Sequence, residues 1–345
     1  MKTLFIATML ASLSGFCQHP STNGNWEKVL NEEFSGNRYW KNNRIDNTNT
    51  MRAYFSECGV THGGKYEHQV YTRENAIFKN GTLVLKAEYN PNTTNFWTGG
   101  YDTYYSSYDY LSGAIEFVRQ FKYGYFEIRC KLPKANYGNF PAFWLWSGGK
   151  RYSEIDVFEH TIWTGEEHKN GYKSFTGSYY DSNVHGHTVV AYQLSDNERP
   201  LTEYHTYAVK WLPKSCVWYF DGRIIGEVYE ETEIPDEPML LKANYAIDNY
   251  HENSDKSKFP LEMTIDYVRV YQLKCDCSKN VTLSTNAQLS SYQPSVKKHI
   301  TIKGSEPLKL SKDLSLMATD GVSIESEFEV PIGKEFSIDI VQCTE

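Results

Sequence analysis

Through the middle of the chain apolar and polar residues alternate with the period of two that marks a half-buried strand. In Tyr125 to Leu132, Phe126, Ile128, Cys130 and Leu132 fall on one side, and Glu127, Arg129 and Lys131 on the other. Ala76-Ile-Phe-Lys and Thr82-Leu-Val-Leu read as strands joined by Asn80-Gly81, and Trp218-Tyr-Phe and Arg223-Ile-Ile as strands joined by Asp221-Gly222. Two-residue hairpin turns select these dipeptides because both central positions need positive φ. No helical period of useful length is present, so many short strands with Gly and Asn turns predict an all-β sandwich. Residues 38–64 and 89–112 are long polar loops rich in Asn, Thr, Gly and Tyr, a length expected where loops wall a groove. After Lys274 the aromatics thin out, which predicts a main β domain over 19–274 and a small C-terminal β module over 275–345.

The first 18 residues pair a basic start, Lys2, with the apolar run Leu4 to Leu13, the pattern of a signal peptide. Export, extracellular or periplasmic, is the expectation. Cys17 invites a lipid anchor, but Phe16 is bulkier than such sites favour, so cleavage near Cys17–His19 without an anchor is expected. No other run approaches the ~18 apolar residues of a membrane span. A net charge of −8 with no basic run argues against nucleic acid as a partner. The 27 tyrosines and eight tryptophans suit strands, and they suit a carbohydrate cleft equally well.

The chemistry concentrates in residues 139–163, where Glu154, Asp156 and Glu159 interrupt an apolar, strand-forming run. Alternation puts Glu154 and Asp156 on one face and Ile155 on the other. A regular strand would turn Glu159 toward the core, where a carboxylate needs a partner. One extra residue bulged out around Val157 and Phe158 would return it to the acid face. Two carboxylates flanking a glycosidic bond are what its hydrolysis needs, one protonated and one ionised, and Asp156 between them would raise the proton affinity of Glu159. Trp144, Trp146, Tyr152 and Trp163 bracket the acids. Phe143 and Leu145 alternate with Trp144 and Trp146, so one pair faces the core and the other is free to meet a sugar.

This stretch resembles the signature of glycoside hydrolase family 16, an E-x-D-x-(x)-E strand preceded by P-A-x-W. Trp26 to Phe34, Gly113 to Phe117, Tyr123 to Arg129, Tyr204 to Trp211, Tyr219 to Gly222 and Thr264 to Tyr271 are similar to further blocks of that family, in order. The resemblance implies a concanavalin-like jelly-roll sandwich with a concave cleft, and a retaining endo-β-glycanase acting on a polysaccharide. It implies Glu154 as nucleophile, Glu159 as general acid then base, and Asp156 orienting Glu154. Sugar contacts would fall to Trp144, Trp146, Trp163, Trp97, Asn139, His160 and His185. Catalysis would need no cofactor, although a structural calcium near the first and last strands would use Glu33 and Asp266. A monomer is expected.

Glu67-His-Gln-Val-Tyr71 resembles the E-x-Q-x-Y block of β-1,3-glucanases, whereas Ser153 stands where glycine is common in that group. The tyrosine-rich loops suit a galactan such as agar, porphyran or carrageenan as well as laminarin. The rival of another class is a non-catalytic, lectin-like jelly roll, which predicts that one acid is lost; all three are present. His185 and His187 could join a metal site only with a third ligand, and none has recognisable spacing. Cys130 reads as a buried thiol, and one disulfide among Cys275, Cys277 and Cys343 would join the start of the tail to its end.

Overall fold

The computed structural model describes residues 19–22, 26–35, 40–41, 44–45, 50–56, 67–93, 108–148, 153–160, 174–180, 186–213, 215–229, 234–292, 295–334 and 336–341. Residues 1–18, Cys58, Trp97, Tyr152, Trp163, His185 and Cys343 lie outside them.

Two large sheets face each other. The first runs in the order Gly186–Gln193, Ser174–Tyr180, Glu154–Glu159, Asn139–Trp146, Met239–Ile247, Ala114–Phe121, Met51–Arg52, antiparallel throughout. The second is built on Gly124–Lys131 and Leu261–Leu273, flanked by His205–Leu212 on one side and Thr82–Thr93 on the other. Their inner faces make one core. Phe126, Ile128, Cys130 and Leu132 meet Phe143, Leu145, Ile155, Val157 and Phe158 there, as the alternation requires. Both hairpin dipeptides have left-handed backbones, with φ of 54° and 75° at Asn80 and Gly81 and 46° and 76° at Asp221 and Gly222.

The outward face of Gly124–Lys131 departs from the simple alternation. Glu127 is buried, because Tyr125, Tyr219 and Tyr271 from the same and neighbouring strands cover that side of the sheet. His19 completes the cover with its Nε2 2.9 Å from Glu127 Oε2. Tyrosines on three of four consecutive strands thus make a satellite cluster where alternation alone predicts water.

The tail is built differently. Cys275–Leu283, Val296–Ile302, Leu314–Ile324 and Phe336–Ile340 pair in parallel, and the short strands Leu308–Lys309 and Phe328–Glu329 pair in parallel beside them. Successive parallel strands with short returns make stacked coils. Their interior, with Ile300, Ile302, Leu308, Leu314 and Leu316, is a core distinct from that of the sandwich. A helix, Asn286–Ser291, closes the first return, with the Thr285 hydroxyl accepting from Gln288 N at its start. Cys277 is disulfide-bonded, whereas Cys130, Cys216 and Cys275 are free, so its partner is not among the described residues. No helix among the described residues is long and apolar enough to cross a membrane.

Candidate active site

The acid strand carries the expected bulge. Trp146 pairs with Glu154, Leu145 with Ile155 and Trp144 with Asp156, but Phe143 pairs with Phe158, which leaves Val157 as the extra residue. The register toward Ser174–Tyr180 shifts at the same place, between Asp156 and Glu159. Ile155, Val157 and Phe158 therefore enter the core while Glu154, Asp156 and Glu159 stay together on the opposite face. The opposite sheet supports the distortion, since Trp218 Nε1 donates to the Asp156 carbonyl oxygen at 2.8 Å. Gly177 leaves room for that ring: a Cβ there would lie 2.8 Å from it.

Burial is the largest influence on every acid of the row. It pushes Glu154 well above the usual carboxylate range, with Asp156 and Glu159 adding like charge. Glu159 is raised in the same way, first by burial, then by Asp156 and Glu67. Asp156 rises only to about 6, because Ser178 and Glu154 both donate to it. The Ser178 hydroxyl lies 2.5 Å from Asp156 Oδ2, directly across the strand pair. Burial and mutual like charge thus favour proton retention across the row, with Glu154 donating to Asp156.

Trp144 and Trp146 stand beside the acids, one strand over and on the same face, while Phe143 and Leu145 are the pair in the core. Trp144 Nε1 donates to Asn244 Oδ1 at 2.7 Å, and Asn244 Nδ2 donates to the Tyr71 hydroxyl at 2.9 Å. Gln69 Nε2 donates to Glu67 Oε2 at 2.5 Å, and its Oε1 accepts from Ile247 N at 2.7 Å. The Glu67-His-Gln-Val-Tyr71 block is therefore tied to the site at three points: Glu67 raises the acids, Gln69 holds Glu67, and Tyr71 steadies Asn244 under Trp144.

Two proposed sugar contacts fall elsewhere. Asn139 is fully buried on the parity of Phe143 and Leu145, with Nδ2 donating to the Lys134 carbonyl at 3.2 Å, so it organises a loop instead of facing the cleft. His160 follows Glu159 and turns inward toward Phe175, where burial pulls its imidazole down to about 3 and keeps it neutral. His187 stacks on Tyr179 with ring centroids 4.7 Å apart. Glu33 and Asp266 do not fit a calcium site. Glu33 Oε1 accepts from Arg269 Nε at 2.8 Å and Asp266 pairs with Arg129, so each carboxylate already faces a guanidinium. Among the described residues no cluster of three or more His, Cys, Asp or Glu could hold a metal.

Ser178, Asn244, Glu116 and Lys242 were not singled out from the sequence. The signal for two of them was present, since Lys242 and Asn244 are polar residues at i and i+2 in the otherwise apolar Met239–Ile247 run. Such a pair on a buried strand marks a face that meets something polar.

The family model of glycosyl hydrolases family 16 matches residues 64–269. A beta-glucanase of Rhodothermus marinus is 25% identical over 303 residues, covering 79% of this chain and 94% of that protein. The kappa-carrageenase of Pseudoalteromonas carrageenovora is 29% identical over 233 residues, covering 58% of this chain and 57% of that protein. The solved catalytic domain of an endo-1,3-beta-glucanase (laminarinase) from Thermotoga petrophila RKU-1 matches with a TM-score of 0.56 at 26% identity, over 72% of this chain and 99% of that one. With a match that covers more than half its length and a bulged acid strand in the matched part, the chain belongs to glycoside hydrolase family 16, a family of retaining hydrolases of glycosidic bonds.

Proposed function

We propose that the protein is an exported endo-hydrolase of β-1,3-linked glucan, with Glu154 as nucleophile, Glu159 as general acid then base, and Asp156 as the group that takes up the proton of Glu154. The carrying observation is the bulge at Val157, which puts three carboxylates in one row beside two tryptophans. Glu159, whose hold on a proton is strengthened by burial and by the charge of Asp156, donates to the departing glycosidic oxygen. Glu154 passes its proton across the existing hydrogen bond to Asp156 and attacks the anomeric carbon, forming a glycosyl-enzyme. Glu159, now ionised, takes a proton from water, whose attack releases the sugar with its configuration restored.

The glucan reading draws on the E-x-Q-x-Y block, whose Glu67, Gln69 and Tyr71 all reach the site. It also draws on the likeness to a laminarinase domain. The likeness to a kappa-carrageenase supports a galactan as the second reading. Export draws on the signal-like residues 1–18. The test incubates the protein with laminarin, mixed-linkage glucan, agarose, porphyran and carrageenan, and resolves products by size and by early proton NMR. Laminarin should yield a ladder of oligosaccharides that first appear as β-anomers. Glu154→Gln should lower kcat by at least about 10³-fold with the fold intact. Cleavage of carrageenan alone would replace the glucan reading by the galactan one, and wild-type turnover by Glu154→Gln would remove that residue from the mechanism.

A further inference from the structure

Lysine is among the residues least often fully buried, and Lys242 is fully buried on the cleft-facing side of the acid sheet. The cross-strand register explains its surroundings. Asp156, Trp144, Lys242, Glu116 and Arg52 follow one another across five adjacent strands, each directly opposite the next. Lys242 Nζ lies 4.7 Å from the Trp144 ring centroid, 4.4 Å from that of Trp146 and 4.8 Å from that of Phe55. Glu116 Oε2 is 3.6 Å away. The same carboxylate accepts from Arg52 Nη1 at 3.1 Å and from Ser56 N at 3.1 Å, which staples the 50–56 segment to the sheet and sets Phe55 over the ammonium.

We propose that Lys242 is a positioning residue for the sugar-binding wall: its ammonium, held by Glu116 and enclosed by Phe55, Trp144 and Trp146, fixes the angle of the two indoles beside Glu154 and Asp156. Trp144 has a second anchor in Asn244, but for Trp146 the ammonium is the nearest of the contacts described above. Burial draws the proton affinity of Lys242 down, and it raises that of Glu116 against the opposing pull of Ser56 and Arg52; a cation at Lys242 meets three ring faces and the carboxylate 3.6 Å away. An apolar side chain of the same length would fill the space without this hold. The indoles keep only a narrow exposed edge, 7% each, so a small rotation changes what a pyranose meets.

The inference rests on the reading that sugar lies against Trp144 and Trp146. Its test is steady-state kinetics of the full-length protein on laminarin oligosaccharides, with the melting temperature measured in parallel. Lys242→Met should raise KM roughly fivefold to tenfold with kcat within about twofold of wild type, the pattern of lost uniform binding. Lys242→Arg, which keeps a cation able to stack on the rings, should return KM to within about threefold. Should Lys242→Met fail to fold, Lys242→Gln, which removes the charge and keeps a polar end on the side chain, carries the same comparison. A folded variant with a lower melting point and unchanged KM would reduce Lys242 to a structural role, and a fall in kcat at constant KM would place its effect on the acids; either result overturns the proposal. A wrong substrate assignment shows first in the wild type, which would then leave laminarin intact, and the comparison is made on the polysaccharide that it does cleave.

Discussion

Ser178 is a single hydroxyl with control over the proton count of the acid row. It donates to Asp156 Oδ2, and this bond lowers an acid that burial otherwise raises, leaving Asp156 at about 6. Removing the donor in Ser178→Ala destabilises the carboxylate form, so the Asp156 pKa rises. Turnover needs Asp156 ionised in order to receive the proton of Glu154, so the acid limb of kcat/KM should move to higher pH, by about half a unit to one unit. An unchanged acid limb in a folded Ser178→Ala protein would show that Asp156 does not govern it. At this scale the sequence was informative for residues whose chemistry is uncommon in a strand: the three acids were legible because each carboxylate is costly in an apolar run unless used. Asn139 and His160 misled, because a polar residue next to a signature can equally be one that buried backbone recruits. The Asn139 amide meets the Lys134 carbonyl, and His160 packs toward Phe175. Lys242 was visible only as a polar residue in a buried strand, and its role was not, since its partners Glu116 and Phe55 come from strands and loops far away in the chain.

The acid strand shows what an element adds beyond its residues. Were Val157 to take a regular place in the pleat, the side-chain count from Asp156 would turn Glu159 inward, among Phe158, Phe175 and Tyr207. Deleting Val157 tests this directly. The shortened strand keeps the pairs Trp144–Asp156, Phe143–Phe158 and Ala142–Glu159 as a regular ladder, with Phe158 still in the core and Glu159 still on the acid face, and it loses only the buried Val157 side chain and the bulge's local twist. We expect a measurable part of the activity to remain, roughly a tenth or more, together with a fall in melting temperature of several degrees from the lost Val157 side chain, measured by laminarin hydrolysis and circular dichroism. Val157→Ala keeps the residue count and should retain most activity, which separates the bulge from the side chain. Loss of activity to below about one part in 10³ in a folded deletion variant would mean that the bulge itself, and not only the face on which Glu159 lies, sets the acid geometry. The bulge was legible because E-x-D-x-x-E breaks the period of two at one point. The hairpins at Asn80-Gly81 and Asp221-Gly222 were legible because their backbones require positive φ. The cover over Glu127 was not, since it takes tyrosines from three strands whose neighbourhood no local pattern reveals.

At the scale of the molecule, strand order was beyond sequence patterning. Met239–Ile247 lies between Asn139–Trp146 and Ala114–Phe121, a pairing between segments far apart in the chain that no local pattern reveals. The composition shift after Lys274 did mark a change of architecture, from antiparallel sandwich to parallel coils. We propose that residues from 275 onward are a module of their own. None of their strands hydrogen-bonds into either large sheet, and their core is separate. The chain enters the tail from Leu261–Leu273, a strand of the sheet opposite the acids, and contact is made where Leu273 and Cys277 pack on Val296, Met317 and Val341. Ending the chain at Lys274 would therefore uncover Leu273 and the rim around Tyr123 and Leu212, and leave every strand of the acid sheet in place. Burying one apolar side chain is worth about 1.5–3 kcal/mol, a modest part of the stability of a domain this large. The shortened protein should stay soluble, melt only a few degrees lower, and cleave soluble oligosaccharides with kcat/KM within about twofold of the full chain. A tenfold loss on those short substrates, or an insoluble product, would mean that the coils complete the catalytic sandwich. Unchanged action on oligosaccharides with weaker action on insoluble polysaccharide would instead assign the coils to holding the polymer.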